Sequence, residues 1–551
     1  MSGKPHHHPR SDAHNDPLDK LGHTRGHPPH GVQQGVASHS AVSASPEWQA
    51  LAAHQRSQRG THMRDLFAAD PQRAQRHAIE AGPLFIDYSK HRITDETLTL
   101  LQRLAQARDV AGWRARMLAG EAINTSESRA ALHVALRGSG PALAQAEARA
   151  ALEHMRTLSA AIRSGAWKGV TGKPFTDIIH IGIGGSDLGP RLAVQALAAP
   201  LAPGNAPRTY FAANIDPHEL DDALRLCDPA STLVIVISKS FSTAETLLNA
   251  RHARDWLRAG LGADVGAHLT AVTNNTAAAA QFGVAADQIL SMPEWAGGRF
   301  SLWSTAGLSI LLTLGSETFD ALLAGAAEID RHFIETPFER NAPVLMALLS
   351  VWYGNFWDAQ IHAVLPYSKR LELLPDYLQQ LEMESNGKRI DRQGKPVTHA
   401  TAPVIFGGTG ANSQHSFHQL FHQGTHLVPS DFVVTAPTGD ARSRMLAVNA
   451  VAQTAALMSG DADDPVGTPG NQPSTTILLP ALNPRTLGAL LALYEHKVFV
   501  EGVLWNINSF DQPGVELGKR IATALLPSPG AASPPAMDSS TRALMHRLGG
   551  T

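Results

Sequence analysis

Cysteine is nearly missing from this chain: Cys227 stands alone in 551 residues. No disulfide can form within the chain, and a reducing compartment is expected. An excess of charge of one sign is missing too. Lys and Arg number 46 against 49 Asp and Glu, for a formal net charge of -3. Such a balance gives no global pull towards nucleic acid or an anionic membrane, so an anionic ligand must be caught by a local site. No apolar run is long enough to span a bilayer, and the first residues hold no apolar signal-peptide core. There is no Walker A loop. After Gly182-Ile183-Gly184 the third glycine position of a dinucleotide fingerprint holds Asp187, so a nucleotide is not indicated. A soluble, cytoplasmic protein that binds neither nucleic acid nor membrane is the expectation.

What is present divides the chain. Its length exceeds one small core, and 43% hydrophobic residues is ordinary for a globular protein. Residues 1–46 are rich in His, Pro, Gly and Ser and read as a disordered, solvated tail, since they cannot bury enough apolar surface to offset ordering entropy. Residues 47–140 read as a mostly helical, amphipathic region. Then the pattern changes. Asp177-Ile178-Ile179-His180-Ile181 runs into Gly182-Ile183-Gly184-Gly185-Ser186, and Leu233-Val234-Ile235-Val236-Ile237 runs into Ser238-Lys239-Ser240. Each apolar run precedes a helical stretch, the βα rhythm of a parallel sheet buried on both faces. The rhythm returns where Pro403-Val404-Ile405-Phe406-Gly407-Gly408 leads into Gln414-His415-Ser416-Phe417. Two α/β units are implied, over 141–313 and 314–526, with a Pro/Ala/Ser-rich break opening a C-terminal arm at 527–551.

Several segments carry candidate chemistry. In Ser238-Lys239-Ser240-Phe241-Ser242-Thr243 four hydroxyls and an ammonium lie between a strand and a helix start. Helix N-termini favour phosphate, so the segment fits a phosphate cradle; a Ser/Thr-rich cap without ligand fits it equally well. Gly185 and Ser186 offer a second close backbone approach. Glu245 completes a capping-box spacing from Ser242. In Leu374–Gly387, Gln380 and Glu384 share one helical face, Glu382 points elsewhere, and Ser385-Asn386-Gly387 signals a turn. Gly297-Gly298-Arg299-Phe300-Ser301 brings the backbone close around a fixed cation. His418 and His422 stand four apart, but no acidic residue lies between them, so a zinc-protease reading fails and no metal site is expected. Phe510-Asp511-Gln512-Pro513-Gly514-Val515-Glu516-Leu517-Gly518-Lys519 places a lysine at the end of a run of turn-formers and acids.

In this order, and with Asp87-Tyr88-Ser89-Lys90, Leu132–Arg137 and Asn214-Ile215-Asp216-Pro217 between them, these segments resemble the glucose-6-phosphate isomerase (phosphoglucose isomerase) family from about Phe67 to Arg547. The resemblance implies two sugar-isomerase (SIS, flavodoxin-like) αβα domains with parallel-sheet cores, an N-terminal helical region packed on the second, and a C-terminal arm. It implies interconversion of glucose 6-phosphate and fructose 6-phosphate through ring opening and a cis-enediol, in glycolysis and gluconeogenesis, without metal or cofactor. Glu384 takes the position of the base, and Arg299 that of the cation beside the intermediate. His415 and Lys519 take those of the ring-opening groups, and Ser238–Thr243 that of the phosphate loop. Glu245 would orient the histidine, against its reading as a cap. A homodimer is implied, with His415 entering from the partner. The chain departs from the family at Leu381-Glu382, where Gly-Asp is common, at Gly407–Ser413, and at His418, often tyrosine. An isomerase of a related sugar phosphate such as mannose 6-phosphate, and a non-catalytic sugar-phosphate-binding regulator, are the alternatives.

Overall fold

The computed structural model describes residues 41–198, 206–262, 264–526 and 537–549. Eleven strands are found among them: β1 (Ala78–Ala81), β2 (Leu84–Lys90), β3 (Asp177–Ile181), β4 (Arg208–Ala212), β5 (Thr232–Ile237), β6 (Leu269–Val272), β7 (Ile289–Leu290), β8 (Ile361–Tyr367), β9 (Val404–Gly407), β10 (Ser430–Thr435) and β11 (Ser474–Leu479). They form two sheets. The first has the order β4-β3-β5-β6-β7 and is parallel throughout. In chain order that is 2-1-3-4-5, the flavodoxin-like winding, whose ligand crevice opens at the C-terminal strand ends where the order reverses. The second sheet has the order β1-β2-β11-β10-β8-β9. Its β9, β8, β10 and β11 are parallel, while β2 and β1 add an antiparallel edge.

Alternate residues of the central strands enter different cores. Leu233, Ile235 and Ile237 of β5 face one apolar cluster, and Val234 and Val236 face another. In the second sheet Val364 and Val433 join the first of these clusters, and Leu365, Phe432 and Val434 join a third. Both sheets are therefore covered on both faces and share one central core, which makes the protein an α/β fold with parallel-sheet cores. The 313/314 boundary falls inside the helix Leu308–Leu314, within that shared core, and no loop marks it.

Two expectations about the N-terminal part are corrected. Residues 47–140 are not only helical: β1 and β2 lie there and complete the second sheet, because Leu84, Ile86 and Tyr88 alternate inward against β11 while Phe85 points out. The tail read as disordered to residue 46 lies outside the described residues only as far as residue 40. Val42 is buried, and the Ser45 side chain caps the helix Pro46–Gln58 by accepting from the Trp48 N–H. Of the 527–551 arm, the described part contains the helix Ser539–Arg547. No helix among the described residues is long and apolar enough to cross a membrane.

The helix Pro484–Leu504 runs through the central core, buried from Thr486 onward. It crosses the helix Ser316–Glu335 closely enough that a Cβ on Gly488 would sit 1.9 Å from the Leu322 carbonyl oxygen. Charges this deep must be paired. Arg137 donates to both Asp330 oxygens at 2.8 Å and to Glu495 at 2.6 Å, and its guanidinium lies over Trp303. Lys497 donates to Glu382 at 2.9 Å and Glu501 at 2.6 Å, so Glu382, two residues before Glu384, is spent inside the core.

Candidate active site

A cleft of about 880 Å³ opens where the parallel strands of the first sheet end. Four strand exits build its wall: Gly184, Gly185 and Ser186 after β3, Ser238 to Ser240 and Thr243 after β5, Asn274 and Asn275 after β6, and Glu294, Gly298 and Arg299 after β7. The second unit adds Gln380 and Glu384, and the C-terminal segment adds Gln512, Val515 and Lys519. Gly185 has no alternative here. A Cβ at that position would lie 2.1 Å from the backbone of Gly298, so the β3 exit and the arginine turn pack backbone to backbone.

The β5 exit is a polar loop held from behind. Phe241 adopts a left-handed φ of 50° and buries its ring, edge-on to Phe282 at 5.7 Å, so it anchors the loop and offers the cleft no side chain. Ser240 and Ser242 share a hydrogen bond of 2.6 Å, and Ser238 and Thr243 one of 3.2 Å; Ser242 itself lies off the cleft wall. Lys239 does more than add charge. Its ammonium donates to the Glu294 carbonyl at 2.8 Å and the Ala296 carbonyl at 3.2 Å, which ties the loop to the turn that carries Arg299. Burial pushes Lys239 below the usual lysine range, and Glu294 opposes the shift. The capping box expected of Glu245 does not form. The helix Ala244–Leu261 starts without a side-chain cap, and Glu245 faces the cleft with no histidine bonded to it.

Across the cleft, the helix Leu374–Gln379 opens into a π-helical turn, Gln380–Glu384. Within that turn Gln380 Nε2 donates to Glu384 Oε2 at 2.8 Å, and the Glu384 side chain keeps 24% of its surface exposed. Arg299 Nη1 stands 3.5 Å from the same oxygen. Four donations fix the guanidinium: Nε to Ser385 Oγ at 2.5 Å, Nη1 to Gln512 at 3.0 Å, and Nη2 to the carbonyls of Ser509 at 2.6 Å and Asp511 at 3.1 Å. Burial lowers the Arg299 pKa, opposed by Glu384 and Asp511. An arginine remains charged under such a shift, so the cleft keeps a rigid cation beside a carboxylate. Lys519, on the helix Glu516–Leu525, is exposed and pairs with Glu516 at 3.0 Å.

The fold thus gathers Glu384, Arg299, Gln380, Lys519, Gly185, Ser186, Ser238, Lys239, Ser240, Thr243 and Glu245 around one cleft. It does not gather His415, which sits exposed at the end of the helix Gly410–Gln414 and outside this wall. The neighbouring His418 and His422 both contact Gln453 Oε1, at 3.2 and 3.0 Å. No cluster suited to a metal ion occurs among the described residues.

Arg129, Asn274, Asn275, Glu294 and Gln512 were not singled out by the sequence. The asparagines had a usable signal, since they follow the apolar run Leu269–Val272 as Ser238 follows β5. Gln512 lies inside the informative C-terminal decapeptide, and Glu294 just ahead of Gly297-Gly298-Arg299. Arg129 reaches Glu294 at 3.0 Å from 165 residues away, a contact with no local signature.

Two wound α/β units, with a polar, cation-bearing cleft at the strand ends of the first, define a protein of the sugar-isomerase-domain class. Residues 87–545 match the phosphoglucose isomerase family. The chain is 50% identical over 526 residues to "Glucose-6-phosphate isomerase" of Dechloromonas aromatica, covering 92% of this chain and 99% of the relative. It is 47% identical over 532 residues to the protein of that name from Roseiflexus castenholzii, covering 91% and 97%. A crystal structure of a glucose-6-phosphate isomerase from Chlamydia trachomatis superposes with a TM-score of 0.81 at 32% identity, over 93% of this chain and 99% of the other. The chain belongs to the phosphoglucose isomerase family.

Proposed function

We propose that the protein interconverts D-glucose 6-phosphate and D-fructose 6-phosphate, as an aldose–ketose isomerase of glycolysis and gluconeogenesis in the cytoplasm. One observation carries the reading: a carboxylate and a fixed guanidinium, Glu384 and Arg299, face a hydroxyl-lined loop across a single cleft. The loop, with Ser238, Ser240, Thr243 and the backbone at Gly185 and Ser186, suits the phosphate. Glu384 then removes the C2 proton of the opened aldose and returns it to C1, while Arg299 stabilises the charge that develops on the enediol oxygens. Lys519, on the cleft wall, is the donor to the ring oxygen in this reading. The test is a coupled assay in both directions, with mannose 6-phosphate and free glucose beside the two substrates. Absence of turnover with glucose 6-phosphate and fructose 6-phosphate would overturn the reading.

Ser240→Ala and Lys239→Ala should raise KM for the phosphorylated sugar by about 10-fold or more, since a hydrogen bond to a charged group is worth about 1.5–3 kcal/mol. Free glucose should be turned over poorly by the wild type. Equal handling of the free and phosphorylated sugar would remove the phosphate role from this loop.

The same reading includes a homodimer whose site receives His415 from the second copy. Support comes from exposed surface. Met445, Val448 and Val451 form an apolar stripe on the helix Ala441–Ser459, each more than half exposed. The helix Glu516–Leu525 buries none of its residues, although Leu517 and Ile521 lie on it. Faces of this kind call for a partner. Mixing inactive His415→Ala and Glu384→Gln subunits should restore about a quarter of wild-type activity, because random pairing leaves one complete site in each mixed dimer. Verified subunit exchange without recovery would place His415 and Glu384 in one chain's site.

A further inference from the structure

The turn that carries Glu384 and the C-terminal loop that holds Arg299 come from distant parts of the sequence, and one ammonium joins them. Lys388 Nζ donates to the Ser385 carbonyl at 2.9 Å, to the Asn508 carbonyl at 2.9 Å and to the Asp511 carbonyl at 2.8 Å. Those are all three of its protons. Asp511 Oδ1 lies 2.9 Å away, as an ion pair without hydrogen-bond alignment, and each of the two side chains is only 12% exposed.

Both ends of this clamp lead to the cleft. Ser385 follows Glu384 directly and accepts from Arg299 Nε through its hydroxyl. The Asp511 carbonyl accepts from Arg299 Nη2 as well as from Lys388, and Gln512, the next residue, accepts from Arg299 Nη1. The Asp511 carboxylate is held in turn by Asn508 at 3.0 Å and by Ser126. Lys388 is not among the residues that line the cleft. Burial pushes its pKa below the usual lysine range, and the Asp511 carboxylate opposes this.

We propose that Lys388 is a positioning residue for the isomerisation: by fixing Ser385 and Asp511 together it sets the spacing of Glu384 and Arg299 across the substrate, which it does not touch. This rests on the isomerase reading above. Proton transfer needs its groups in near-attack geometry, and phosphate binding by the β5 loop does not. A loosened clamp should therefore act on turnover and spare binding.

The test is Lys388→Met beside Lys388→Arg. A misplacement of about 1 Å can cost about 10²-fold in rate, so Lys388→Met should lose about that factor in kcat while KM stays within about 3-fold. Competitive inhibition by a hexitol 6-phosphate, which has no carbonyl to isomerise, should be unchanged. Lys388→Arg keeps the charge and should recover about 10-fold of the loss, its planar fork matching three converging carbonyls imperfectly. A folded Lys388→Met with near-wild-type kcat overturns the proposal, as does an equal loss of kcat and inhibitor affinity. Should Lys388→Met not fold, Lys388→Arg carries the test alone: a kcat about 10-fold down with inhibitor binding kept supports the clamp, and wild-type kcat overturns it. Wild-type protein without isomerase activity would sink the isomerase reading instead, so the two failures are told apart.

Discussion

Glu384→Gln is expected to lower kcat for the sugar phosphates by about 10²–10⁴-fold, the usual share of general acid–base catalysis. The amide has the size of the carboxylate and can still accept from Gln380 Nε2, now 2.8 Å away, so the π-helical turn should persist. KM should change little, because the phosphate loop lies on the far wall of the cleft. Exchange of the C2 hydrogen with solvent deuterium should fall with kcat, since both need the same proton abstraction. Wild-type exchange in the variant would take the role of base from Glu384. His415→Ala and Lys519→Ala serve as the contrast. They should be rescued by a substrate that populates its open-chain form, and Glu384→Gln should not.

The second large effect is on stability. Arg137 is fully buried between Asp330 and Glu495, and His496 donates to Asp330 at 2.7 Å. Burial works against the Asp330 carboxylate, yet the paired Arg137 and His496 hold its pKa far below the usual range. Burial raises that of Glu495, with Arg137 opposing. Arg137→Met keeps an apolar stem at this position, removes the guanidinium that lies over Trp303 and strips both carboxylates of their common cation. Removing one partner of a buried ion pair costs about 3–5 kcal/mol, and urea unfolding followed by tryptophan fluorescence should show a loss of that order. A loss under about 1 kcal/mol would mean that water or a rearranged partner replaces the guanidinium. Arg137 is not among the residues that line the cleft, so activity per folded molecule should survive.

How far the sequence could be read followed from where each residue finds its constraint. β3 and β5 were legible because both faces are covered, which demands unbroken apolar runs. β1 and β2 escaped because they form the antiparallel end of the second sheet, where Phe85 and Glu80 face out and break the apolar run, and two such strands vanish among helical neighbours. In the cleft, residues attached to a local device could be seen: the hydroxyl run after β5, the double glycine before Arg299, the turn after Glu384. Lys239 was seen, but its tether to the Glu294 and Ala296 carbonyls was not, since the acceptors are backbone atoms more than fifty residues away. The resemblance supplied His415, and nothing local marks it among its histidine neighbours.

The π-helical turn has a consequence for the chain's history. A turn closed by i→i+5 bonds holds one residue more than an α-helical one would need, and that surplus residue sets the direction in which Glu384 leaves the helix axis. A one-residue deletion anywhere from Gln380 to Met383 would relax the segment into a regular helix and swing the carboxylate round by about 100°, the angular step of an α-helix. Glu384 would then leave in the direction Met383 takes now, against the core, and the cleft would lose its carboxylate with no change of residue type. Substitutions along this stretch leave the path of the backbone as it is, whereas changes of its length do not. Lineages of this fold that keep the chemistry should therefore keep the count between Leu374 and Glu384 fixed, even where the letters drift.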